Sequence, residues 1–173
     1  MRIVEMNLPE TSGLYTLRNT FDYTDSFGGV VDDWNNTMTM DALVDAFLKP
    51  PPPWVLALIK LRNQIAACAG LKRGTLPQST RNSIRHTPGS QAGFFKCFEC
   101  TENEVILGEN DKHLDFKVSI LRQTDAELPH RKTVVISTVV HYNNWMGKVY
   151  FFFVKPFHRL IVRSMLQRDF QHF

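Results

Sequence analysis

Between Phe94 and Tyr142 apolar residues fall on every second position, and beyond Asn144 they fall on every third or fourth. That single change of period constrains the fold more than any other feature, because period two belongs to strands and the longer period to helices. Leu114, Phe116, Val118 and Ile120 alternate with His113, Asp115, Lys117 and Ser119, as in a strand with one packed and one wet face. Val134, Ile136, Thr138, Val140 and Tyr142 alternate likewise, although Val135 and Val139 make the opposite face partly apolar. The pattern predicts strands over 94–100, 104–108, 113–121 and 133–142. The connectors are mostly short, so an antiparallel meander is the economical topology.

Asn143-Asn144 reads as a capping pair for a helix that runs through about Phe170. Val149, Phe152, Phe153, Pro156, Phe157, Leu160, Ile161 and Met165 carry its apolar spacing, which places Phe157, Leu160 and Ser164 on the predicted sheet-facing side. Pro156 removes one backbone hydrogen bond and is expected to kink the helix or split it near Lys155. Upstream, residues 21–27 read as a first strand or arm that ends at Gly28-Gly29. Thr39 caps a short helix carrying Met40, Leu43, Val44, Phe47 and Leu48, and the prolines 50–53 stop it. Trp54, Leu58, Leu61, Ile65 and Cys68 predict a second helix ended by Gly70. Residues 72–92 read as a long, locally basic, flexible loop, a candidate lid. The expected organisation is a polar leader over 1–20 and one domain over 21–173.

Composition narrows the function classes. A chain of 173 residues holds one ordinary domain. Twenty Lys plus Arg against seventeen Asp plus Glu leave a formal charge of +3, too slight to argue for a nucleic-acid partner. Thirteen Phe against four Tyr and three Trp favour a phenylalanine-rich core or pocket. Cys68, Cys97 and Cys100 are odd in number and irregular in spacing, which speaks for a reducing compartment. The N-terminus does not read as a secretory signal and no apolar run reaches the ~20 residues of a membrane span, so a cytoplasmic protein is expected.

The residues Phe21-Asp22-Tyr23-Thr24-Asp25-Ser26-Phe27, Pro53-Trp54-Val55, Glu104-Val105-Ile106-Leu107-Gly108 and Lys112-His113-Leu114-Asp115-Phe116 resemble a bacterial family, that of domain of unknown function 2867. Val154-Lys155-Pro156-Phe157-His158-Arg159-Leu160-Ile161-Val162 resembles it too, and within that stretch Lys155 to Ile161 is the most specific piece. That family looks like part of the START or SRPBCC helix-grip superfamily. The resemblance implies an α+β helix-grip fold, a curved antiparallel sheet around the C-terminal helix with a hydrophobic ligand held between them. It carries no assigned reaction.

Candidate residues follow from both lines. Tyr23, Phe116, Thr138, Tyr142, Phe153, Phe157, Leu160 and Ser164 are the pocket candidates, because a pocket combines apolar walls with a few polar groups. Thr138, Tyr142 and Ser164 read equally as core hydroxyls bonded to backbone. His158 and Arg159 follow the proline and are candidates for a ligand's acidic head group, or for a lock on carbonyls freed there. His113 and Asp115 share a strand face and suit acid–base work, or are solvated or paired with the neighbouring strand. Cys97 and Cys100 lack the further ligands of a zinc site, and three residues apart on a regular strand they point to opposite faces. No phosphate loop, nucleophile elbow or His-Glu-x-x-His occurs, and neither cofactor nor metal is expected. The expected function is binding of an apolar or lipid-like small molecule; the alternatives are a cyclase- or aromatase-like enzyme and a protein-interaction module, with a homodimer in view.

Overall fold

The computed structural model describes residues 2–50, 53, 55, 56, 89–92 and 95–170. Most of the second helix expected over 54–70 and most of the 72–92 loop lie outside the described residues; Val55 and Leu56 are helical. The described strands are β1 (Ile3–Glu5), β2 (Tyr23–Asp32), β3 (Gln91–Ala92), β4 (Phe95–Cys100), β5 (Glu104–Asn110), β6 (Leu114–Thr124) and β7 (Arg131–Tyr142). The helices are α1 (Met40–Phe47) and α2 (Trp145–Asp169), with a 3-10 turn over Tyr15–Thr20.

The strands form one antiparallel sheet in the order β1-β2-β7-β6-β5-β4-β3. From β4 to β7 this is the expected meander, and β3 adds a short strand where a loop was expected. β2 closes it by pairing with the last strand over ten residue pairs, from Tyr23 with Val140 to Asp32 with Arg131. It runs straight through Gly28-Gly29 rather than stopping there. Val30 and Val31 continue the pairing, and a glycine inside a strand marks close approach as readily as a turn. A Cβ on Gly28 would lie 2.8 Å from the Met6 sulfur of the segment laid over it.

Pairing and alternation sort the side chains onto two faces. Phe27, Val31, Val105, Leu107, Val118, Ile120, Val134 and Ile136 form the main core with Met40, Leu43, Val44 and Phe47 of α1 and Val162 and Leu166 of α2. The opposite face is covered by the N-terminal segment. Leu14 packs with Ile106 and Val139, and Leu8, Phe21 and Phe98 lie against them. The stretch expected as a polar leader is therefore built into the fold, β1 as an edge strand and residues 12–14 as a cover. Ser12 Oγ and the Gly13 amide donate to Glu104 at 2.5 and 2.8 Å, and Ser119 Oγ donates to the same carboxylate.

Helix α2 is one continuous element across Pro156, so the expected split near Lys155 does not occur. Asn144 caps it by accepting from the Gly147 amide at 3.1 Å. Its inward stripe is buried at Gly147, Tyr150, Phe151, Val162, Leu166 and Asp169 and half-buried at Val154, His158 and Met165, a helical spacing of three and four. The sheet-facing side is thus rotated from the expected one: Phe153, Phe157 and Leu160 are exposed and Ser164 is half-buried. The helix is apolar nearly all round in its first sixteen residues, so periodicity alone had two stripes to choose from.

Candidate functional site

In β2 the alternation Tyr23, Asp25, Phe27 sends a carboxylate to the same face as two aromatic rings, toward α2. Asp25 is buried, and in the register of β2 with β7 it stands opposite Thr138. Tyr23 Oη donates to Asp25 Oδ2 at 2.6 Å. From the helix His158, seven residues after Phe151 on the inward stripe, brings Nε2 to 3.5 Å from Asp25 Oδ1. The contact is within ion-pair range but is not aligned as a hydrogen bond. Asp25 Oδ1, His158 Nε2 and Thr138 Oγ1 are all buried without a hydrogen-bond partner. Buried polar atoms are nearly always satisfied, so three orphans converging on one seam mark it out.

The surroundings are aromatic. Tyr23 and Phe151 sit 4.8 Å apart between ring centroids, Tyr142 and Phe151 5.8 Å, and Phe151 and His158 6.5 Å. Val140, Phe151 and Tyr23 form a small core of their own, against which Leu114, Phe116, Tyr142 and Val154 pack. Burial first, and then the hydrogen bond and negative charge of Asp25, push the Tyr23 phenol well above the ordinary tyrosine range, while Arg159 pulls the other way. Tyr23 therefore stays a protonated donor to Asp25. The Tyr142 phenol is raised as well, by burial and then by the charge of Asp22.

Of the residues expected at a pocket, Tyr23, Thr138, Tyr142, Phe116 and His158 gather around this seam. Phe153, Phe157 and Leu160 do not, since they point away from the sheet. Arg159 is shared: it acts on the Tyr23 phenol at the edge of the seam, while Nη2 lies 2.5 Å from Glu5 Oε2 and its guanidinium stands 5.7 Å from the Phe27 ring centroid. Asp25 is the residue that sequence reasoning missed. Its signal is the spacing of two from both Tyr23 and Phe27, which a strand ending at the glycines hides.

The other constellations resolve into structure. His113 is buried with Nδ1 3.2 Å from Asn144 Oδ1, and Asp115 accepts from the Asp111 amide and from Asn143 Nδ2 at 2.9 and 3.0 Å. Both side chains fasten the start of α2 to the β5–β6 turn. Cys97 and Cys100 do not point to opposite faces. A bulge between Cys97 and Glu99 pairs Cys97 with Leu107 and Cys100 with Val105, and both thiols join the main core. Burial raises both thiols above the usual cysteine range, Cys97 further by its neighbour Cys100 and Cys100 by the charge of Asp41. Among the described residues no group of three or more His, Cys, Asp and Glu is placed to hold a metal ion.

Fold and seam together define an α+β protein whose curved antiparallel sheet is crossed on one face by the C-terminal helix, with a Tyr–Asp–His cluster between them. The chain belongs to the family described as protein of unknown function (DUF2867), whose model matches residues 17–165. No curated protein and no solved structure matches it.

Proposed function

We propose that this chain binds a small amphipathic molecule between its sheet and α2, in the manner of the START or SRPBCC helix-grip proteins. The topology favours that kinship, because the first long strand pairs with the last and the terminal helix lies across the sheet they close. The observation that carries the reading is the convergence of Asp25 Oδ1, His158 Nε2 and Thr138 Oγ1, none of them hydrogen-bonded, among aromatic rings. Such groups cost stability unless something completes their hydrogen bonds. Asp25 beside His158 disfavours the acidic head group expected from His158 and Arg159, since a second carboxylate would meet the first. A hydroxyl fits better, donating to Asp25 and accepting from His158 while its apolar body lies against Phe116, Val140 and Phe151.

Native mass spectrometry of freshly purified protein tests this directly, with a hydrophobic fluorescent probe as the second readout. Wild type is expected to retain a small apolar mass and to bind the probe. Thr138→Val deletes an orphaned hydroxyl at nearly constant shape, and is expected to lose ligand while gaining about 1 kcal/mol of stability. An empty wild-type protein that binds no probe, with Thr138→Val less stable than wild type, overturns the reading. The run Tyr23–Asp25–His158 favours an acid–base enzyme as the second reading, because a carboxylate-oriented imidazole is a proton-transfer device. A retained molecule whose mass changes on incubation with wild type but not with His158→Gln would favour it.

A further inference from the structure

The outer face of α2 is the largest exposed apolar feature among the described residues. From Trp145 to Leu160 its exposed positions are Trp145, Val149, Phe152, Phe153, Pro156, Phe157 and Leu160, interrupted only by Lys148 and Lys155. Trp145 and Phe152 are each 73% exposed, Phe153 56% and Leu160 55%. Scattered exposed hydrophobic residues are ordinary, but seven on one continuous helix face are a surface built to be covered.

Charge decides what covers it. Lys148, Lys155, Arg159 and Arg163 are spaced by seven, four and four, so they run along one edge of the apolar stripe. No Asp or Glu occurs in α2 before Asp169, and that carboxylate is buried and bonded to Arg168 at 2.6 and 2.7 Å. Arg159 and Arg163 are answered by Glu5; Lys148 and Lys155 make no ion pair among the described residues, and Lys155 Nζ stands 4.8 Å from the Tyr23 ring centroid. A second copy laid face to face would bring like charges together with no acid on either helix face to meet them. An apolar face edged by cations, with tryptophan and phenylalanine on it, has the chemistry of a helix lying in a bilayer surface with anionic headgroups. No helix among the described residues is long and apolar enough to cross.

We propose that α2 docks this protein onto anionic membrane surfaces, its outer stripe entering the headgroup boundary and Lys148 meeting lipid phosphates and carboxylates. The apolar stripe is opposite the Asp25–His158 seam, which Lys155 reaches through the Tyr23 ring, so docking is tested at Phe152, Phe153 and Lys148, separately from ligand retention.

The test is flotation of the full chain with phosphatidylcholine vesicles, with and without phosphatidylserine. Wild type is expected to float with the anionic vesicles and to be released by salt. Phe152→Ser with Phe153→Ser is expected to abolish binding at an unchanged melting temperature, since both rings are exposed, and Lys148→Gln to weaken it about fivefold. Failure of wild type to float overturns the proposal, as does equal binding to neutral vesicles or binding indifferent to the double variant. A dimer in sedimentation that the double variant dissociates also overturns it, by giving the face to a second copy.

Discussion

Asp33 has been taken out of water almost completely, and its neighbours make that tolerable. Lys132 Nζ lies 2.7 Å from Oδ2, the amides of Thr37 and Met38 donate at 2.8 and 2.9 Å, and Asn36 turns in the left-handed region (φ 52°) to accept from the same lysine at 2.6 Å. Burial alone would raise this carboxyl; the ammonium and the amides outweigh it and hold it at about 2. Because the folded value lies below the unfolded one, the stabilisation is complete above the unfolded value and is lost as pH falls through the folded one. Denaturation curves of wild type and Asp33→Asn are therefore expected to differ at neutral pH and to converge by about 2 kcal/mol as pH drops from about 5 to about 2. At this scale the sequence was least legible. Asp33 and Asp25 are ordinary aspartates in the chain, and only the partners across the sheet and helix make one a structural anchor and the other a site.

At the scale of elements, α2 poses the clearest energetic question, because two helical stripes compete for the sheet. Leu166 is fully buried against the main core, whereas Leu160 faces outward. Leu166→Ala should cost roughly 2 to 5 kcal/mol in chemical denaturation, and Leu160→Ala should change stability by less than about 0.5 kcal/mol. Equal losses would mean that the helix packs in the rotation its periodicity alone suggests. The strands were read well from alternation, their bounds differing by a few residues. The exception is the β4 bulge, which one extra residue creates and which no period reveals; it turns two thiols onto one face that a regular strand would separate. The cap at Asn144 and the stop after α1 were legible because Asn and Pro act through their own covalent chemistry.

On the scale of the whole molecule, the N-terminal segment gives the sheet its second covered face. Three strands present a lateral row of serines there, Ser26 beside Ser137 beside Ser119, and Ser26 Oγ donates to Ser137 Oγ at 2.9 Å. Their small size lets residues 12–14 approach closely enough for Glu104 to gather Ser12, Gly13 and Ser119. Removing that acceptor strands buried donors, so Glu104→Ala is expected to cost about 1 to 3 kcal/mol. Hydrogen exchange should show the amides of Gly13 and Leu14 losing protection first, while β5 to β7 keep theirs. Protection lost uniformly would mean that the segment is not a separate latch. What the sequence determined by itself was whatever repeats along the chain or lies in one residue's chemistry: the strand alternation, the meander, the long terminal helix and its cap. Tertiary structure alone decided which face of that helix meets the sheet, that β2 closes on β7, and that Asp25, Thr138 and His158 share one seam. These depend on pairing across more than a hundred residues, and a residue's own sequence neighbours carry no information about the groups that burial brings to it.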